Sequence, residues 1–127
     1  MRGALEIKKG ALVIEGGERG KREKKYYLQL LELSTQMERK KLEQLIQFYP
    51  LGGKGEVLKV TNYERVFSDL ERGRVEGRVL ILIDGDKEYI ETENRVEELL
   101  KKLEEEKEKR GINAEFQYHI NCKSRRD

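Results

Sequence analysis

The chain has 127 residues, enough for one domain with a sizeable core. Charged side chains make up 41% of it, yet 27 basic against 25 acidic residues leave a net charge of only +2. That balance argues against a polybasic polymer-binding tail as the whole of its function and leaves room for a local basic patch. One cysteine, Cys122, excludes an internal disulfide and a cysteine-rich zinc site. The density of Lys, Glu and Arg suits a heat-adapted protein. Met1 to Ala4 lacks the apolar core of a signal peptide, and no stretch approaches membrane-spanning length. A cytoplasmic protein without membrane attachment is expected.

Leu5 and Ile7 alternate with polar neighbours, and Lys8-Lys9-Gly10 reads as a turn. Ala11-Leu12-Val13-Ile14 is a continuous apolar run, the mark of a strand covered on both faces, and it ends in Glu15-Gly16-Gly17. After a charged stretch a helix is predicted from about Arg22. Its buried face is expected at Tyr26, Leu30 and Leu33, widened by Tyr27 and Leu31. Thr35 with Glu38 matches a capping box that would restart a helix through Met37 to Ile46. The competing reading, preferred because it keeps strands and helices alternating, makes Gln44 to Tyr49 a strand closed by Pro50.

Leu51 to Gly55 is a glycine-rich loop, and Gly55 to Val60 is either the first turns of the next helix or a separate extended piece. Thr61 and Glu64 form a second capping-box pattern ahead of Tyr63, Val66, Phe67 and Leu70 at helical spacing, with Gly73 as the stop. Val79 to Ile83 is the central strand candidate and runs into Asp84-Gly85-Asp86. Thr92 is placed to cap a helix with Glu93 in its first turn; Val96, Leu99, Leu100 and Leu103 form its apolar stripe and Gly111 ends it. Ile112, Ala114, Phe116, Tyr118 and Ile120 then alternate strictly with polar residues, as in a half-buried strand near a sheet edge. The order strand, helix, strand, helix, strand, helix, strand predicts an α/β sandwich with a mainly parallel sheet of about four strands. Residues 1–121 form a single domain in this reading, and 122–127 a short basic tail.

In parallel sheets ligands bind beyond the carboxyl ends of strands. Glu15, the Gly52–Gly55 loop, and Asp84 with Asp86 all lie just past predicted strand ends, so they should meet on one edge. Asp-Gly between Leu82-Ile83 and Tyr89-Ile90 is also a strong hairpin signal. Against a hairpin stands the unbroken apolar run before it. As a site, two carboxylates flanking a glycine can face one hard cation, and Mg²⁺ takes one or two carboxylates plus waters and substrate phosphate. The acidic spacing does not fit an EF-hand, and Gly20-Lys21 lacks the glycine and the Ser or Thr of a P-loop. The glycine-rich loop can cradle phosphate through its N–H groups, including that of Gly53, with Lys54 pairing a phosphate charge. His119 falls on the polar face of its strand, and Cys122 has no evident activating partner.

The Ile14-Glu15-Gly16 strand end, the Pro50 to Gly55 loop and the Ile83-Asp84-Gly85-Asp86 strand end, in that order, resemble a Toprim (topoisomerase–primase) domain. The resemblance is nearest to small stand-alone Toprim proteins and to the Toprim domains of overcoming-lysogenization-defect nucleases, and it runs from about Ala11 to Ile120. It implies a Toprim-like sandwich with a mostly parallel four-stranded sheet. It implies Glu15 as general acid/base or metal ligand, Asp84 and Asp86 as Mg²⁺ ligands (Mn²⁺ substituting), and Lys54 as the lysine of the glycine-rich loop. A further acid of the nuclease-like members falls on Arg19 here; with an insertion in the charged loop, Glu23 takes its place as a metal ligand.

The expected function is therefore Mg²⁺-dependent phosphodiester chemistry on nucleic acid, DNA ahead of RNA, by a small nuclease or nicking domain. Lys21, Arg22, Lys24 and Lys25 would hold the backbone through salt-sensitive contacts. The alternative is a non-catalytic nucleic-acid-binding or assembly module on the same fold. A domain this small offers little surface to long nucleic acid, which points toward a homodimer or larger complex.

Overall fold

The structure is a computed structural model that describes residues 7–16, 21–85 and 89–121. Strands β1 (Gly10–Ile14), β2 (Ile46–Pro50), β3 (Arg78–Asp84) and β4 (Glu115–Asn121) form one sheet in the order β2-β1-β3-β4, every pairing parallel. Helices α1 (Lys21–Thr35) and α2 (Arg39–Leu45) carry the chain from β1 to β2. A short α3 (Lys54–Val57), a 3-10 turn at Val60–Tyr63 and α4 (Glu64–Glu71) carry it from β2 to β3, and α5 (Tyr89–Arg110) from β3 to β4. This is the α/β sandwich with a parallel sheet that the alternation predicts. The hairpin alternative is overturned: β3 lies between β1 and β4, parallel to both, and Tyr89-Ile90 opens a helix.

Pleating sorts the strand residues between two cores. Ala11, Val13, Tyr49, Val79, Ile81, Ile83 and Phe116 face the larger one, closed by Val57, Tyr63, Val66, Phe67, Val96, Leu99 and Leu103 from the α3–α4 region and α5. Ile14 and Phe48 face the smaller one, closed by Leu28 of α1 and Leu42 of α2. Each such buried aliphatic or aromatic side chain stabilises the fold by about 1.5–3 kcal/mol. At the far end of the larger core, Arg110 in the last turn of α5 meets Glu64 at 2.6 Å and Glu106 at 2.9 Å, its guanidinium 4.9 Å above the Phe67 ring. Among the described residues no helix is long and apolar enough to cross a membrane.

Several local expectations are corrected. The inward face of α1 is not Tyr26, Leu30 and Leu33, which are 49%, 42% and 80% exposed. Leu28 is buried at its centre, with Tyr27 and Leu31 packed beside it. The helix is turned so that its narrower stripe meets β1 and β2, because the apolar surface of those strands decides which face is covered. Neither capping box forms. The Thr35 hydroxyl donates back to the Leu31 carbonyl and accepts from the Met37 N–H, so it closes α1. Thr61 lies inside the 3-10 turn, and neither Glu38 nor Tyr63 caps its helix through a side chain. The helix and strand readings of 37–50 both hold in part, α2 ending at Leu45 where β2 begins. Thr92 is not a cap but is buried within α5, which starts at Tyr89. Gly73 and Gly111 do end their helices, at φ +74° and +68°.

Gly77 fixes how closely β4 can enter beside β3. Its carbonyl accepts the Glu115 N–H at 2.6 Å, and a methyl group there would stand 2.6 Å from the Asn113 carbonyl oxygen and 3.2 Å from the Ala114 Cα. Those are backbone atoms that cannot rotate away. Gly77→Ala is expected to destabilise the fold by about 1–3 kcal/mol, the usual range for overpacking. Urea unfolding should show this as a lowered midpoint at unchanged slope.

Candidate active site

The strand order places a switch point between β1 and β3. The chain leaves β1 toward β2 on one side, then crosses to β3 on the other, so the connections diverge at the carboxyl ends of these two strands. Glu15 follows β1 directly, and Asp84 ends β3. The β1–β3 pairing runs from Ala11↔Val79 to Val13↔Ile81, while β3 continues beside β4 to Asp84↔Asn121. Alternate residues of an inner parallel strand address opposite neighbours. The Gly85 N–H donates to the Asn121 carbonyl at 2.9 Å, so the Asp84 N–H turns toward β1, whose ladder has already ended. The Glu15 carboxylate takes it: Asp84 N–H donates to Glu15 Oε2 at 2.8 Å.

The second strand end is tied in from the other side. Leu51 N–H donates to the Ile14 carbonyl at 3.1 Å, and Gly16 N–H to the Gly52 carbonyl at 2.9 Å. Gly52 has φ +106°, in the region where a side chain is strained, so the loop needs glycine there. Glu15 is thereby held between the glycine-rich loop and the end of β3, as the placement of strand ends predicts.

Two open grooves share this edge. One, of about 570 Å³, is lined by Glu15, Gly16, Glu23, Pro50, Leu51, Gly52 and Gly53. The other, of about 460 Å³, is lined by Glu15, Arg22, Glu23, Tyr26, Tyr27, Leu82, Asp84 and Asn121. Glu15 and Glu23 line both, so they form the divide between them. Glu23 stands in the first turn of α1, where an acid suits the helix dipole. Asp84 shares the pleat of Leu82 and so faces α1, where Tyr27 registers its charge. The Tyr27 phenol is pushed up to about 12, first by burial, then by Asp84, Tyr26, Glu15 and Glu23.

The predicted site residues divide accordingly. Glu15, Glu23, Asp84, Arg22 and Gly53 meet at this edge. Lys54 opens α3, one residue beyond the loop glycines, and is not among the groove-lining residues. Lys24 lies 5.5 Å from the centre of the Phe48 ring, over β2, and Lys25 is exposed on α1. Asp86, the side chain of Lys21, Cys122 and the tail lie outside the described residues. Tyr27 and Asn121 were missed. The tyrosine carries no local signal beyond core spacing, but Asn121 could have been found, since it ends the strand beside β3.

Carboxylates are the hard oxygen donors that Mg²⁺ takes, and Glu15 and Asp84 supply them across the switch point. Among the described residues no three ligating side chains gather closely enough to hold a metal by themselves. Mg²⁺ does not require such a cage, because it keeps waters and shares substrate phosphate. Comparison of the chain with protein-family models, with curated proteins and with solved structures finds no match.

The Tyr27 environment gives a direct check on the acid cluster. Asp84→Asn removes a charge that holds the phenol up, so its pKa should fall while staying above the ordinary value of about 10, because burial is the larger cause. Phenolate absorbance, with Tyr27→Phe identifying the transition, reads this. The folded-state pKa is raised, so Tyr27 contributes stability that is complete below pH about 10 and lost as pH rises through about 12.

Proposed function

We propose that the chain is a Mg²⁺-dependent enzyme of the Toprim type, acting on nucleic-acid phosphodiesters as a small nuclease or nicking domain, with DNA as the favoured substrate. The observation that carries this reading is the Glu15–Asp84 hydrogen bond across the β1–β3 switch point, between two grooves that open at the carboxyl edge of the sheet. Asp84, and Asp86 two residues on, would hold the ion, with Glu15 or Glu23 completing its shell. When bound, the ion supplies charge for a phosphate oxygen and for the leaving oxygen. Glu15 would orient an attacking water or take its proton, being fixed at one oxygen by the Asp84 N–H. Arg22, exposed on the groove wall, would pair with a backbone phosphate, and the N–H groups at Gly52–Gly53 offer a second phosphate contact. Lys54, Lys24 and Lys25 would add charge outside the grooves or at their rim.

One observation favours the alternative, a non-catalytic nucleic-acid-binding or assembly module: the lack of a three-ligand cluster among the described residues. Nicking of supercoiled plasmid with Mg²⁺ or Mn²⁺ separates the two. The wild type should nick, Asp84→Ala should fall to background, and Glu15→Gln should lose about 100-fold or more, as for loss of a general base. Equal activity in wild type and Asp84→Ala, or none in either on several substrates, favours the binding module.

Duplex binding measured against salt tests the groove wall under either reading. Arg22→Ala should reduce the slope of log K against log salt by about 0.9, one phosphate contact, and weaken all sequences alike.

A further inference from the structure

Tyr26 lines the 460 Å³ groove at the acid edge, yet it belongs to neither core and is 49% exposed. It stands one turn after Arg22, near the start of α1. That helix begins just past the carboxyl end of β1, and helical side chains lean back toward the helix N-terminus. The Tyr26 ring therefore reaches the groove at the sheet edge, although its Cα lies on the side of α1 opposite Leu28. Tyr27, packed into the smaller core, braces it. The two rings meet edge to face, with centroids 5.2 Å apart and planes at 68°. Such a contact fixes the orientation of the Tyr26 ring and covers at most one of its faces.

The rest of the groove decides what such a ring can meet. Among the described residues its charged side chains are Glu15, Glu23 and Asp84 against Arg22. Carboxylates in that excess repel a phosphate unless a cation intervenes. A nucleobase carries no charge, and its exocyclic amino groups can donate to a carboxylate. Asn121, at the end of β4, adds an amide able to donate and to accept on a base edge. Groups suited to phosphate stand at the borders. Arg22 is on the wall, and Gly52–Gly53 line the 570 Å³ groove across the Glu15–Glu23 divide. The arrangement fits a nucleotide whose base is turned inward and whose backbone runs along the rim.

We propose that Tyr26 is a stacking platform for an unpaired base, and that this edge takes single-stranded nucleic acid in preference to duplex. A base within a duplex has both faces covered by its neighbours, so only an unstacked one can offer a face to the ring. Stacking of this kind tolerates any sequence, because every base has a π-face. By holding one base, Tyr26 sets which part of the strand lies beside Glu15 and Asp84. The inference rests on the nucleic-acid reading of the site, in its enzymatic or its binding form, and names the substrate class.

A single-stranded oligonucleotide carrying a fluorescent adenine analogue, whose emission is quenched by stacking, tests it with the full chain. Ca²⁺ replaces Mg²⁺ so that the strand stays whole. The wild type is expected to quench the analogue and to bind the single strand more tightly than the matching duplex. Tyr26→Ala should lose the quenching and about tenfold in single-strand affinity, the worth of one base–aromatic stack. Tyr26→Phe keeps the ring and should keep both. Leu30→Ala, one turn on and absent from the groove lining, should behave as the wild type. An unquenched wild-type complex, a wild type that prefers duplex, or a Tyr26→Ala variant that binds and quenches normally overturns the stacking proposal. Duplex binding that depends on Arg22 would then leave the nucleic-acid reading standing. If neither the single strand nor the duplex binds, that wider reading falls and the stacking proposal with it.

Discussion

The hydrogen bond from the Asp84 N–H to Glu15 Oε2 settles a problem that the sheet itself creates. Strand β3 outruns β1, so an inward-facing N–H at its end has no ladder partner. A buried or half-buried N–H left unpaired costs about 1–3 kcal/mol. A carboxylate placed just after β1 is the nearest acceptor, and using it draws an acid onto the switch point. The structural need and the chemical site are therefore the same contact. The glycine loop after β2 then becomes the third strand end at that edge, because Leu51 N–H donates to the Ile14 carbonyl and Gly16 N–H to the Gly52 carbonyl.

The two faces of the sheet are unequal, and the difference shapes the grooves. On the face of α4 and α5 the layer is continuous, from Tyr63 and Phe67 to Leu103, and the Tyr49 hydroxyl donates to Asp69 at 2.7 Å to bind β2 to α4. On the other face the α1 cluster takes in Leu82 of β3, while Gln117 and His119 of β4 are exposed. An acid on the first face would be sealed within the core. Asp84 instead carries the pleat of Leu80 and Leu82 and emerges where the second layer is open, beside Tyr27 and Asn121. The Tyr26–Leu30–Leu33 stripe is exposed for a different reason, since it lies on the side of α1 opposite the buried Leu28.

Much of the fold was legible because apolar periodicity is a local property. Val79–Ile83 as the inner strand, the stripe of Val96, Leu99 and Leu103, the alternation through Phe116 and Ile120, and the helix stops at Gly73 and Gly111 all read directly from residue type and spacing. So did the strand-end placement of Glu15, Asp84 and the glycine loop, since a parallel sheet gathers such ends whatever its strand order.

The strand order, the side of the sheet on which α1 packs and the rotation of that helix were decided only in three dimensions. Tyr26, Leu30 and Leu33 satisfy helical spacing as well as Leu28 and Leu31 do, so spacing alone cannot choose between two apolar rows. The choice falls to the surfaces of β1 and β2, which are distant in sequence. Thr35, Thr61 and Thr92 carry capping patterns, but where a helix begins is set by what the chain packs against. Glu15 bonding to the Asp84 N–H, 69 positions away in the chain, is of the same kind. Which residues lie at strand ends was in the sequence, but which of them touch depended on the order in which the strands were laid side by side.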